Sequence, residues 1–201
     1  MTDGAGCEWV LVTGPTAEPL SVAEAKLQAR IRIDDEDALI DRYIKAARST
    51  AEETLGRGLL TQTWKLTLPS FAESIWLPMA APLQSVTSVK YYDTTGTLLT
   101  LSATVYTVDL VSRPGRLVRA PLQSWPSLQS DRLTGKVEIT YVVGWTDKAL
   151  IPERIVQGMR LYLGYLDSDR EGLDELGELA RTAADACWTD RVCWKPPACA
   201  A

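Results

Sequence analysis

Histidine is absent from this chain, phenylalanine occurs once and methionine three times. Without histidine the usual Ser-His-Asp and Cys-His relays are excluded. No G-x-S-x-G stretch supports a nucleophile elbow. Neither G-x-x-x-x-G-K-[ST] nor G-x-G-x-x-G is present, so no phosphate-cradling loop is indicated. The longest apolar stretches fall well short of the about 18 residues that mark a membrane-spanning helix. The opening MTDGAGCEWVLVTG has no basic segment and too short an apolar piece for a secretory signal, so the expectation is a chain made in the cytoplasm. Basic charge is also in deficit. Lys and Arg number 21 against 26 Asp and Glu, a net charge of -5, which makes a broad grip on DNA phosphates a poor fit.

Cysteines are few: Cys7, then the evenly spaced Cys187, Cys193 and Cys199. The spacing is not that of a zinc site and no histidine completes one. Reduced thiols are expected, with a metal or disulfide cluster in the tail as the other reading. Paired carboxylates are the chemistry left open, since a glycosidase-like site needs only two acids about 5–10 Å apart in a cleft. The acids here fall mostly on helix caps and exposed helix faces. No catalytic residue, cofactor site or metal site is therefore expected, and the chain reads as a non-enzyme.

What is present is a helix-rich frame around a β region, an α+β pattern. Residues 1–19 form an extended arm with the apolar piece Trp9-Val10-Leu11-Val12, suited to adding a strand to the sheet or to a neighbouring subunit. Ser21-Val22-Ala23-Glu24 is a capping box that opens a helix over 22–32. Asp34-Asp35-Glu36-Asp37 read as a cap and first-turn acids of the next helix rather than a cation site. That helix spans 36–55, since Leu39, Ile40, Tyr43, Ile44, Ala47, Ala51 and Leu55 recur at helical spacing and Gly56 and Gly58 end it.

From Leu60 the period changes to two. Trp64, Leu66 and Leu68 alternate with polar residues, as do Val137, Ile139, Tyr141 and Val143. Further strands are expected at 75–77, 105–110 and 116–120. The stretch Pro82–Asp93, turning at Gly96 into Leu98-Leu99, reads as the central hairpin of an antiparallel unit. Pro152 then opens a helix to Leu166, with Ile155, Met159, Tyr162 and Leu166 as its stripe; it is expected to pack on the long helix. A last amphipathic stretch places Leu173, Leu176, Ala180, Ala183 and Cys187 on one narrow seam, followed by Trp188 and Trp194. Such a seam either folds back on its own domain or docks on a partner.

The order of these pieces resembles the head–tail connector proteins of tailed phages and prophages, also called adaptor or head-completion proteins, with similar proteins in gene transfer agents. The resemblance covers about 20–170. It rests on Leu20-Ser21-Val22-Ala23-Glu24-Ala25-Lys26, the acids 34–37, Ala51-Glu52-Glu53-Thr54-Leu55-Gly56-Arg57 and Gln62-Thr63-Trp64. It continues through the block from Leu77 to Tyr91-Tyr92, Tyr106-x-Val108-Asp109, Val142-Val143-Gly144-Trp145 and Pro152-x-x-Ile155.

The resemblance implies a small helical bundle with an inserted antiparallel β unit. The divisions are then an arm 1–19, a core 20–171 with the β unit at 60–145, and a C-terminal helical arm 172–201. It also implies a homo-oligomeric ring of about twelve subunits seated under the portal, with a next neck or tail-completion protein as a further partner. DNA passes through the channel without specific binding, and no membrane is involved. Portal docking would fall to Leu173, Leu176, Ala180, Ala183, Cys187, Trp188 and Trp194. Subunit contact would fall to Trp9, Val10, Leu11, Tyr91, Tyr92 and Trp125. Removal of everything after Gly172 is expected to leave the domain folded and to abolish joining to heads. The competing reading is a monomeric binding module whose Trp64, Trp76, Tyr91, Tyr92 and Trp125 line a ligand or peptide site.

Overall fold

The computed structural model describes residues 7–29, 36–168 and 175–189. Two compact units emerge, one from the described parts of 1–15 and 61–144 and one from those of 16–60 and 145–192. The helical unit is thus built from two separated pieces of chain, and the expected arm 1–19 is divided after Pro15. The C-terminal helix is part of the helical unit, not a separate arm.

Helix α1, Val22–Ala29, starts on the expected capping box. The Ser21 amide donates to Glu24 Oε2 at 2.7 Å, and the Glu24 amide donates back to Ser21 Oγ at 3.2 Å. Helix α2 covers Asp37–Leu55 and buries Ile40, Ile44, Ala47, Ala51 and Leu55, as its spacing requires. It ends on Gly56 at φ 62°, a left-handed cap that costs glycine no Cβ clash. Asp37 lies in the first turn of α2, and Glu36 is its N-cap residue, with no capping hydrogen bond from its side chain. Asp34 and Asp35 are outside the described residues, as is the expected extension of α1 to residue 32.

A 3-10 turn, Lys148–Leu150, precedes α3, Glu153–Ser168, and α4, Glu175–Thr189. Ile155, Val156, Met159 and Leu163 of α3 join the α2 stripe, Leu20, Ala25, Ala184 and Trp188 in one core. The expected packing of α3 on α2 is observed, and α4 packs on α3.

The described residues of the β unit hold eight strands: β1 Glu8–Thr13, β2 Gln62–Leu68, β3 Ser74–Trp76, β4 Leu83–Tyr92, β5 Leu98–Thr100, β6 Tyr106–Asp109, β7 Arg116–Arg119 and β8 Val137–Val143. They form a five-stranded antiparallel sheet, β1-β2-β8-β4-β5, and a three-stranded one, β3-β7-β6. The β4–β5 hairpin is real but not central. Its β5 is an edge, and β8 holds the centre because it pairs with β2 on one side and β4 on the other. Register aligns Leu66, Ile139 and Val89 on one face, all of them in the unit's core. The opposite face carries Lys65, Thr140 and the pair Lys90–Glu138. Tyr141 is fully buried, and its hydroxyl donates to the Pro78 carbonyl at 2.9 Å, which meets the demand of a buried polar group.

Cys7 is buried and disulfide-bonded, so reduced thiols are not the state of this cysteine. Sequence spacing carries no information about which thiols meet in space. Cys187 is free; Cys193 and Cys199 lie outside the described residues.

Candidate interaction surfaces

The arm residues fold as the outer strand of the large sheet. β1 pairs with β2 so that Trp9 stands opposite Leu66 and Leu11 opposite Trp64, while Val10 stands opposite Lys65 on the other face. Trp9 therefore packs against the β core. Val10, Leu11 and Val12 remain 44%, 42% and 55% exposed. At the opposite end of the strand order, β5 sets Leu99 against Tyr91 and Leu98 against Tyr92. These leucines are 39% and 41% exposed. Both ends of one sheet thus carry exposed aliphatic side chains.

The other aromatic candidates are taken up by packing within the β unit. Trp125, from the long irregular stretch before β8, stacks on Phe71 with ring centroids 4.6 Å apart, and Tyr91 tilts onto the same Phe71 at 6.2 Å. Tyr92 is covered by the Arg132 guanidinium, 3.8 Å from its ring centre, and Trp76 by that of Arg116 at 5.0 Å. Trp64 lies against the β core. Three separate environments hold Trp76, Tyr92 and the Phe71–Trp125–Tyr91 cluster, which does not describe one aromatic cleft. Phe71, the only phenylalanine of the chain, had no sequence signal beyond its rarity.

The C-terminal helix shows a different seam from the one its spacing suggests. Ala184 and Trp188 are buried in the helical core, Ala180 and Cys187 are half-buried, and Ala183 is exposed. Trp188 tilts onto Tyr162 at 5.9 Å, and its Nε1–H donates to the Ile155 carbonyl at 3.3 Å. The seam is rotated by one residue because the bulky Trp188, not Ala183, decides which side faces α3. Leu173, Trp194 and the side chain of Leu176 are outside the described residues. Leu179, 65% exposed, points outward.

The described carboxylates with shifted affinities are all held ionised. Glu24 is pulled down to about 2 by its hydrogen bonds from Ser21, with Lys148 adding a smaller attraction. Asp93 is lowered by the Thr95 hydroxyl and by backbone N–H groups of its turn. Asp109 is lowered by Ser112 and then Arg116. A general acid requires the opposite shift. Glu18 and Glu52 flank Arg48 at 2.8 and 2.9 Å, and Glu52 Oε1 also accepts from the Leu59 amide at 2.8 Å. These are structural ties: Glu52 anchors the segment that leaves α2. No group of three or more metal-ligating side chains occurs among the described residues, and no described helix is long and apolar enough to cross a membrane.

Known proteins resemble this chain at both levels. Residues 19–95 match the phage gp6-like head-tail connector protein family. No curated protein matches. A chain from the virion of a native gene transfer agent particle is 21% identical with a TM-score of 0.71, over 90% of this chain and 94% of that one. A chain from the neck of an empty gene transfer agent particle, computed with C6 symmetry, is 22% identical with a TM-score of 0.70, over 94% of this chain and 100% of that one. A third, from the neck of a native particle computed with C12 symmetry, is 18% identical with a TM-score of 0.64, over 89% and 94%. Over residues 19–95, from the start of α1 to the turn after β4, this chain carries the pattern of the phage gp6-like head-tail connector proteins, and its whole fold is similar to that of gene transfer agent neck chains.

Proposed function

We propose that this chain is a structural, non-catalytic protein of a virion neck. It forms a homo-oligomeric ring under the portal, joins the DNA-filled head to the tail and extends the DNA channel. The single observation that carries the reading is the connector-family match over 19–95. The likeness to neck chains over 94% of this chain supports it. The C6 and C12 symmetries of the similar neck structures support a closed ring, which needs head-to-tail contacts between unlike surfaces. The net charge of -5 suits a channel that DNA passes through, because few phosphates find a basic partner. The portal and the next neck or tail-completion protein are its partners, and assembly takes place in the host cytoplasm. Portal contact is assigned to the outward side of α4, where Leu179 and Ala183 are exposed.

Electron microscopy of the neck of the particle that carries this protein tests the reading. The expected result is a closed ring of this fold beneath the portal, with α4 nearest to it. Intact, tailed particles that lack the chain would overturn it.

A further inference from the structure

The lysines fall into two groups. In the helical unit each described lysine has a carboxylate: Lys26 pairs with Asp37, Lys45 with Asp41 at 2.6 Å and Lys148 with Glu24 at 3.5 Å. The other described lysines, Lys65, Lys90 and Lys136, belong to the β unit, and among the described residues none of them is ion-paired. The excess of acids over bases also lies in the helical unit, within 16–60 and 145–192.

The three unpaired lysines share one face of the five-stranded sheet. Register sets Lys65 and Ser88 on either side of Thr140, and Thr67 and Lys90 on either side of Glu138. Lys136 comes two residues before Glu138 and one before the buried Val137, so the alternation of β8 puts it on the same face. This face is opposite the one that carries Leu66, Ile139 and Val89 into the core. Its acids are Glu138 and Glu8, the latter opposite Thr67. The hydroxyls of Thr67, Thr140 and Ser88 lie between the cations. Lys65 and Lys90 are two strand spacings apart, about 10 Å, and Lys136 and Thr140 lie about 14 Å apart along β8.

We infer that this face meets the phosphate backbone of double-stranded DNA. The inference rests on the ring proposed above, through which DNA passes. Duplex DNA carries one negative charge per about 1.7 Å of its axis, so a patch of about 10 by 14 Å meets several phosphates at once. Lysine, threonine and serine are side chains that take phosphate oxygens without reading sequence. Such contact is loosened by salt and lets protein and duplex slide past one another. The few bases free to reach a phosphate are thus gathered in one place, on a chain whose net charge is -5. A second copy fits this face less well. Described acids of the helical unit are held by its own bases: Asp37, Asp41 and Glu24 by the lysines named above, Glu18 and Glu52 by Arg48.

A photo-crosslinking residue in place of Thr140 of the full chain, irradiated in DNA-filled particles, tests the face. After nuclease digestion, mass spectrometry should find the peptide carrying position 140 with a nucleotide attached. Added to that chain, Lys65→Gln, Lys90→Gln and Lys136→Gln together should lower the yield of this adduct at least about tenfold, because each phosphate contact given up at about 0.15 M salt costs roughly fivefold in affinity. The triple variant should keep the circular dichroism and melting temperature of its parent and remain in the particle. Adducts to protein alone would give the face to an acidic protein partner and overturn the inference. A chain present in the neck without a nucleotide adduct, or an adduct whose yield the three substitutions do not change, would overturn it too. Each of these outcomes leaves the ring intact. Absence of the chain from the particle would overturn ring and DNA contact together.

Discussion

Trp188 Nε1–H donates to the carbonyl of Ile155 at 3.3 Å, tying the last described turn of α4 to the first turn of α3. The indole is fully buried, so this tie is part of the helical core rather than a feature waiting for a partner. Trp188→Ala should destabilise the protein by about 3–5 kcal/mol, the usual cost of emptying a large aromatic site. Trp188→Phe should cost less, yet leave the Ile155 carbonyl without this donor. Chemical denaturation of the two variants checks the order. Equal stability of Trp188→Ala and the parent would mean that α4 does not hold α3 in solution.

The same packing changes the meaning of a truncation. Removal of everything after Gly172 deletes Ala184 and Trp188 from the core, so the remaining chain should melt markedly lower. It would then fail to join heads through loss of fold, which contradicts the sequence-based expectation of an intact domain. A comparison that leaves the core in place is Leu179→Glu, at a residue 65% exposed. It should keep the melting temperature and reduce head joining. Unchanged joining would remove the outward side of α4 from the portal contact.

Ile44 lies at the centre of the α2 stripe and is 1% exposed. Aspartate there would be a buried carboxylate without a designed partner, a change of the largest destabilising class, about 4 kcal/mol or more. Against a typical domain stability of about 5–15 kcal/mol, Ile44→Asp should remove a large share of the stability and lower the melting temperature sharply. Helical circular dichroism followed on heating is the readout, and an unchanged melting temperature would place that side chain elsewhere.

Glu24 gives the acid limb of stability a defined contributor. Its folded value, about 2, lies below the 4.5 of an ordinary glutamate because Ser21 and, more weakly, Lys148 favour the carboxylate. A lowered folded value means that the contribution is complete above the unfolded value and disappears as the pH falls through the window from 4.5 to about 2. Glu24→Gln should therefore be less stable than the parent at neutral pH, and the difference should close across that window. A difference that stays constant from pH 6 to pH 2 would assign the effect to something other than charge.

How far the sequence reveals this fold depends on the range of the interactions that decide each part. The limits of α2 and the capping box of α1 are local: Ser21 and Glu24 are three residues apart, and the α2 stripe repeats within its own turns. Sheet order is not local. β2 and β8 have the same alternating burial, and nothing within either strand says that β8 lies between β2 and β4. The α4 seam was ambiguous for another reason. Ala180, Ala183 and Ala184 differ little in hydrophobic content, so a rotation by one residue changes no local score, and it is the fit of Trp188 on α3 that selects the face. For the surfaces, the local sequence marks Val10 and Leu11 as part of an apolar arm, whereas it marks Leu98 and Leu99 only as members of a hairpin. Their place at the far edge of the same sheet follows only from the strand order. Tyr91 and Trp125 looked like contact residues because loops and hairpins display aromatics, but both pack on Phe71 across long stretches of sequence.

Gly158 offers the sharpest test of how α3 and α4 meet. On an ordinary helix, glycine to alanine gains about 0.8–1.0 kcal/mol from propensity alone. Here a Cβ at position 158 would stand 2.3 Å from Trp188 Nε1 and 2.8 Å from its Cε2, distances that force the indole or the helix to move. Overpacking of this kind costs about 1–3 kcal/mol, so Gly158→Ala should be net destabilising despite the better helix former. The penalty should shrink or reverse once the indole is gone. In a Trp188→Ala background the three atoms that such a Cβ would meet first are gone, and Gly158→Ala should be much less destabilising, or even stabilising. A double-mutant cycle measured by denaturation gives the coupling directly, expected at about 1–3 kcal/mol for two residues in contact. Additive effects within about 0.3 kcal/mol, the range of independent sites, would mean that Trp188 does not lie over Gly158 and that the close approach of the two helices is wrong.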